Sequence, residues 1–277
     1  MSKVWFVTGS SRGFGREFVQ AALGRGDRVA ATARNTDSLQ DLVAVHGEAI
    51  LPLALDVTDK VAVVEAVQRA HDHFGRLDVI VNNAGHGLFG AVEELTEQQI
   101  RGQMETNFFG ALWVTQAALP LLRAQDSGHI VQISSTGGVT AFPTLGGYAA
   151  SKWALEGLTE ALAQEVAGFG IKVTLVEPTG FATDWGGSSA AHAETLPAYD
   201  EVRAALFAGW SQSTLGDPAA VGPALLKIVD ADNPPLRVFF GAEPLGMVHQ
   251  LYAERLKTWE QWAGVAAEAQ GAQGAQG

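Results

Sequence analysis

The chain contains no cysteine, which removes disulfides, thiolate metal sites and cysteine nucleophiles from consideration. It also lacks any apolar run of about 18 residues free of charges or breakers, the length a membrane-spanning helix needs. The opening MSKVWFVTGS holds one lysine and a very short apolar run before a glycine turn, unlike a signal peptide. Basic residues are the next shortage: 18 Lys and Arg face 30 Asp and Glu, for a formal net charge of -12. Such a balance repels polyphosphate, so nucleic acid is not an expected partner. A cytoplasmic globular protein with no membrane association and no metal site is the resulting expectation.

What is present is ample apolar material, 47% of 277 residues, and 32 glycines for tight turns. Short apolar runs alternate with helical patterns. Strands are expected at 4–7, 28–32, 50–55, 77–81, 130–133, 172–177 and 236–240. Their interiors are continuously apolar, as in a parallel sheet buried on both faces. The expected fold is therefore α/β, a doubly wound seven-stranded parallel sheet in three αβα layers, the Rossmann fold. One domain should cover 1–266. Residues 185–215, irregular and rich in small residues, are expected to form a substrate lid, and the repetitive 267–277 a disordered tail.

Ligands in such folds sit at the carboxyl ends of the strands, and the polar motifs follow those ends. The first strand runs into TGSSRGFG at 8–15. Gly9 allows the tight turn, Gly13 and Gly15 allow close approach of a pyrophosphate, and the following helix offers N–H donors and a positive dipole end. The spacing is G-x-x-x-G-x-G, so the turn alone is weak evidence. The second strand ends at Arg34, where an acid would accept from an adenosine ribose. With Arg12 as a second cation, Arg34 favours NADP(H) over NAD(H). Asp37 is expected to cap the helix at 38–45. Asp56 could reach an adenine amino group or simply cap its turn. Asn82 and Asn83 can tie strand ends together, and Gly85 lets a ligand approach. Asn107 lies inside one long helical pattern at 97–125, where asparagine is a poor choice; taken alone, a surface position is favoured.

The stretch 129–152, HIVQISSTGGVTAFPTLGGYAASK, carries the candidate chemistry. Tyr148 and Lys152 stand four apart on one helix face. An ammonium so placed favours the phenolate and lowers the tyrosine pKa from about 10, while an upstream serine can hold a carbonyl or alcohol oxygen.

Taken together, TGSSRGFG, Asp56-Val57, NNAG at 82–85, Asn107, ISS at 133–135, YAASK at 148–152 and the Pro178 loop closely resemble the short-chain dehydrogenase/reductase family. The likeness runs in order from residue 3 to about 184. It implies Tyr148 as acid/base and Lys152 as the group that lowers its pKa and binds the nicotinamide ribose. It further implies Ser135, thirteen residues before Tyr148, as the substrate-orienting serine, with Ser134 structural. Asn107 would hold a water in a proton relay, reversing the surface reading. The cofactor wall would comprise Gly9, Ser11, Arg12, Gly13, Phe14, Gly15, Arg34, Asp56, Val57, Asn83, Ala84, Gly85, Tyr148, Lys152, Pro178, Thr179, Gly180, Phe181 and Thr183, with Thr183 on the carboxamide. Thr179 departs from the family's usual Pro-Gly. A homodimer or homotetramer built on the two long helices is also implied.

The expected function is an NADP(H)-dependent oxidoreductase interconverting a carbonyl and a secondary alcohol, acting as a ketone or aldehyde reductase on a hydrophobic small molecule. His86, Phe89, Val139, Phe142, Leu145 and Trp185 are the candidate substrate residues. The alternatives are a dinucleotide-sensing regulator without turnover, which would not need Tyr148 or Lys152, and an epimerase or dehydratase, which would call for a larger C-terminal domain.

Overall fold

A computed structural model describes residues 2–211 and 213–271. The chain divides into two compact units, Met1–Gly241 and Ala242–Gly277.

The first unit contains, in order, β1 (Val4–Val7), α1 (Gly13–Gly24), β2 (Arg28–Ala33), α2 (Gln40–His46), β3 (Ile50–Ala54), α3 (Lys60–Phe74), β4 (Val79–Asn82), β5 (Leu88–Phe89), α4 (Glu97–Met104), α5 (Gly110–Ala124), β6 (Gly128–Ile133), α6 (Gly146–Val166), β7 (Ile171–Pro178), β8 (Ala191–His192), α7 (Asp200–Trp210), α8 (Val221–Asp230) and β9 (Arg237–Phe240). Seven strands form one sheet in the order β3-β2-β1-β4-β6-β7-β9. All pair in parallel, with Trp5 opposite both Val29 and Val79, and Val176 opposite Ile133 and Val238. This is the expected doubly wound sheet, and its order reverses between β1 and β4, where such folds bind dinucleotides.

Period-two alternation splits the sheet's side chains between two cores. Trp5, Val7, Val81 and Ile133 pack with Phe18 and Val19 of α1, Leu42 of α2 and Leu225 of α8. Val4, Phe6, Ile80 and Ile130 pack with Val63 of α3, Val114 of α5 and Leu162 of α6. The three layers follow directly from that pattern.

Three local expectations are corrected. The helical pattern at 97–125 is not regular: α4 and α5 are joined through a π-helical turn at Glu105–Phe109 with Asn107 inside it. Asp37 does not cap the second helix; Asn35 accepts from the Asp37 amide and opens a 3-10 turn that leads into α2. The lid region is also more ordered than its composition suggests. It includes α7, and β8 pairs in parallel with β5, Ala191 with Leu88 and His192 with Phe89. Asp59 and Asp217 cap their helical turns, each accepting from backbone amides.

The second unit consists of α9 (Pro244–Gln261) and α10 (Ala263–Gln270), with Trp259 and Trp262 exposed. Of the tail expected to be disordered, 267–270 is helical; 272–277 lie outside the described residues. No helix among the described residues is long and apolar enough to cross a membrane.

Candidate active site

The glycine turn after β1 is shaped by its own packing. Gly9 has φ +68, and a Cβ on Gly15 would lie 2.2 Å from the Gly9 carbonyl oxygen, so neither position accepts a side chain. Gly13 has φ +55 and faces open space. The cap residue of α1, Arg12, makes no side-chain capping bond, and the first turn contains no acid. The first amides of α1 therefore lack a side-chain acceptor, and such an uncapped terminus fits the pyrophosphate of a dinucleotide.

Asn83 locks β4 to this turn: its amide nitrogen donates to the carbonyls of Thr8 (2.9 Å) and Gly9 (3.1 Å), while the Thr8 hydroxyl accepts from the backbone of Asn83 and Ala84 at 3.0 Å each. Asn82 donates to Thr115 Oγ1 at 3.1 Å. The strand-tying expected of these asparagines is present.

At the end of β2, Arg34 is exposed. Arg12 instead reaches across to the segment after β7, 3.0 Å from Asp184 Oδ2 and 3.2 Å from Ser188 Oγ. Asp56 accepts from the amide (3.0 Å) and hydroxyl (2.8 Å) of Thr58, which is the turn-capping alternative. Val57 is buried against Gly110, where a Cβ would come within 2.7 Å of its side chain.

Tyr148 and Lys152 project from the first turns of α6 and are both buried. The Lys152 ammonium donates to the Ile133 carbonyl at 2.8 Å and lies 5.9 Å from the Tyr148 ring centroid. Ser135, extended at φ -170, accepts from the Gly137 amide at 3.0 Å. Gly137 is small enough to admit the tyrosine: a Cβ there would lie 3.2 Å from the ring and 3.4 Å from Ser135 Oγ.

The electrostatics differ from the simple pair expectation. Burial pushes the Tyr148 phenol up to about 12, and the hydrogen bond with Ser135 opposes this without cancelling it. Burial also lowers Lys152 to about 8. In the free protein, desolvation thus outweighs the help that an ammonium gives a phenolate.

Asn107 is 1% exposed, so the surface position favoured by the residue alone is overturned. Its amide donates to the His86 carbonyl and to Ser151 Oγ, both at 3.1 Å, and its Oδ1 accepts from the His86 amide at 3.0 Å. A Cβ on Gly85 would lie 3.0 Å from that Oδ1 and 3.7 Å from Lys152 Nζ, so these groups border one small space. His86, half-buried, is held below the usual histidine range by burial first, then by the charges of Lys152 and Arg34. Ser134 is buried, and its Oγ has no hydrogen-bond partner.

The post-β7 loop accommodates the unusual Thr179. The methyl of Thr179 lies against Gly241, where a Cβ would approach to 2.3 Å, and its amide donates to the Phe240 carbonyl at 3.0 Å. The Pro178 carbonyl accepts from Thr136 Oγ1 at 3.1 Å. Phe181 packs edge-on to Phe14, centroids 4.8 Å apart, while Gly180 and Ala182 bond the backbone of Gly216 and so join the two ends of the 185–215 segment. Thr183 Oγ1 accepts weakly from the Trp185 amide at 3.4 Å.

Among the substrate candidates, Phe89 and Trp185 meet each other (5.5 Å), and Trp185 meets Tyr148 (5.0 Å). Val139 and Leu145 are buried and Phe142 is half-buried. Sequence reasoning missed His192 and Trp210, which join Phe89. It also missed a charged cluster one turn beyond Lys152. There Glu156 and Glu177, both buried, share Arg237, which pairs with Glu156, sits 3.3 Å from Glu177 and reaches Glu160 at 2.8 Å. Burial raises Glu177 to about 7. The four-residue series Tyr148, Lys152, Glu156 was the available signal. Among the described residues no cluster of acids and histidines is arranged to hold a metal.

The sequence profile described as short chain dehydrogenase matches residues 3–194. An oxidoreductase from Botryotinia fuckeliana, BOA17, is 43% identical over 88% of this chain and 90% of its own length. A 3-ketodihydrosphingosine reductase from Bacteroides thetaiotaomicron is 37% identical over 93% of each chain. The crystal structure of a short-chain dehydrogenase from Streptomyces avermitilis superposes with a TM-score of 0.91 at 40% identity, covering 97% of this chain and 98% of that one. With its motifs assembled on one sheet edge, the chain is an oxidoreductase of the short-chain dehydrogenase/reductase family.

Proposed function

We propose that this protein interconverts a carbonyl and a secondary alcohol with NADP(H), working as a reductase of hydrophobic ketones or aldehydes. One observation carries the reading: a buried tyrosine hydrogen-bonded to Ser135 and backed by Lys152 stands at the same sheet edge as the uncapped N-terminus of α1. The nicotinamide cofactor supplies the hydride when bound. Gly9, Gly13, Gly15 and the first amides of α1 would receive its pyrophosphate, and Arg34 its 2′-phosphate, because no acid stands at that strand end.

Tyr148 keeps its proton at neutral pH and donates it to the substrate oxygen, which Ser135 orients. Lys152, positively charged below about pH 8, stabilises the phenolate left behind. Asn107 fixes the backbone of His86 beside Lys152 and leaves an acceptor lone pair for a water. Thr183 would border the carboxamide. Reduction by the Bacteroides thetaiotaomicron relative, as its name states, supports the carbonyl direction. The family likeness supports a homodimer or homotetramer.

NADPH consumption with a panel of hydrophobic ketones tests the reading. Tyr148→Phe should abolish turnover while NADPH still binds; near wild-type rates in that variant would overturn the proton-donor assignment.

A further inference from the structure

Tyr148 is covered in this structure. It is 5% exposed, and the indole of Trp185 stands edge-to-face against it, centroids 5.0 Å apart at 65°. The neighbours of Trp185 are also rings. Phe89 lies 5.5 Å from it at 62°. Phe89 is stacked on the His192 imidazole at 5.0 Å and 9°, and it meets Trp210 edge-on at 6.1 Å. Trp210 in turn contacts Phe207, which is 55% exposed, at 5.8 Å. A continuous series of rings therefore leads from the buried tyrosine to solvent.

Two features show that this series is built into the backbone. Phe89 and His192 are register partners in the β5–β8 pair, so their stacking is set by hydrogen bonds that tie the lid to the loop after β4. Trp185 is bedded on Gly87, where a Cβ would come within 2.9 Å of the indole. The indole has a defined seat against the Tyr148 ring.

Resting on the reading of this site as a carbonyl–alcohol oxidoreductase, we propose that Trp185 is a gate displaced by substrate, and that the substrate is an aromatic ketone or its alcohol. Its ring takes over the edge-to-face contact that Trp185 makes with Tyr148 and stacks onward with Phe89. Displacing the indole breaks two aromatic contacts. An aryl group restores them, whereas a saturated ring of the same skeleton restores apolar area alone. Aromatic pairing beyond area burial is worth up to about tenfold per contact, so discrimination on the order of tenfold or more is expected.

Phenylacetone and cyclohexylacetone share a carbon skeleton and an unconjugated carbonyl. Their kcat/KM values with NADPH, for wild type, Trp185→Phe and Trp185→Leu, form the first arm of the test. Wild type should prefer phenylacetone by about tenfold. The cost of displacing the indole is the same for both ketones and cancels from that ratio, so Trp185→Phe and Trp185→Leu should keep the preference. Trp185→Leu, with no indole contacts to break, should use both ketones faster. Equal use of the two ketones by wild type, or no gain in rate with either ketone in Trp185→Leu, overturns the proposal. The second arm does not need turnover: indole emission of the NADP+ complex is titrated with each ketone and read against Trp185→Phe. A Trp185-dependent change whose midpoint lies at about tenfold lower phenylacetone than cyclohexylacetone supports the proposal; the same midpoint for both, or no response, overturns it. Selective binding without reduction would overturn the carbonyl reading and leave the aromatic one standing.

Discussion

Replacing Lys152 with methionine should make the protein inactive and, near neutral pH, slightly more stable. Burial lowers the Lys152 ammonium from 10.5 to about 8. For a group whose folded pKa lies below its unfolded value, the unfolded chain binds the proton more tightly between those two pH values. The cost of burying the charge is thus fully present below pH 8 and is relieved as pH rises from 8 to 10.5. A fall from 10.5 to about 8 corresponds to about 3 kcal/mol. Against it stands the charge-assisted bond to the Ile133 carbonyl at 2.8 Å, worth about 1.5–3 kcal/mol, which methionine loses. Lys152→Met should therefore gain on the order of 1 kcal/mol at pH 7 and lose that advantage by pH 10. Urea denaturation of both proteins at several pH values between 7 and 10 reads the difference directly. A stability difference that does not change with pH would refute the reasoning, because a burial cost borne by a neutral amine has no such slope.

Glu177 has the opposite sign. Its folded pKa, raised to about 7 from 4.5 by burial, gives stability that is complete below pH 4.5 and lost as pH rises through 7, so wild type should lose about 3 kcal/mol relative to Glu177→Gln across that window; parallel denaturation curves would contradict it. Asn107→Ala removes three hydrogen bonds at a buried position, leaving the His86 amide unpaired, and should cost about 2–4 kcal/mol in urea denaturation together with most activity. Arg34→Asp should reverse the cofactor preference, weakening NADPH at least tenfold while NADH binding survives, as measured by calorimetry; an unchanged ratio would show that Arg34 meets no phosphate.

Much of the fold was legible because its signals are local and redundant. Four apolar residues followed at once by a glycine turn identify β1 and the start of α1, and the same strand–turn logic recurs at β2, β4 and β6. Tyr148 and Lys152 were legible because a four-residue spacing on a helix is itself a statement about geometry. Other features were not legible, for identifiable reasons. The π turn around Asn107 is one residue of extra winding inside a pattern that otherwise reads as helix, and the eye averages over it. The β5–β8 pair has two residues per strand, too few for alternation to register. Asn35 outcompeted Asp37 as a cap because the chain enters α2 through a 3-10 turn that shifts the start of the element. The sharing of Arg237 by Glu156 and Glu177 joins three separate elements, and no local pattern in any of them announces the others. The departure at Thr179 became intelligible with Gly241, sixty-two positions later in the chain, whose missing side chain makes room for the threonine methyl.

The π turn at Glu105–Phe109 also sets a phase. Each α-helical residue turns the chain by about 100°, so one residue of surplus between α4 and α5 decides which way every side chain of α4 faces relative to α5. Deleting any one residue from that turn would leave a smooth helix with all its hydrogen bonds and no obvious defect, yet α4 would arrive rotated by about a quarter turn and Asn107 would lose its alignment with His86. In this stretch the protein should tolerate many substitutions better than a single deletion, and an engineer shortening or grafting the helix must carry the extra residue along with the asparagine.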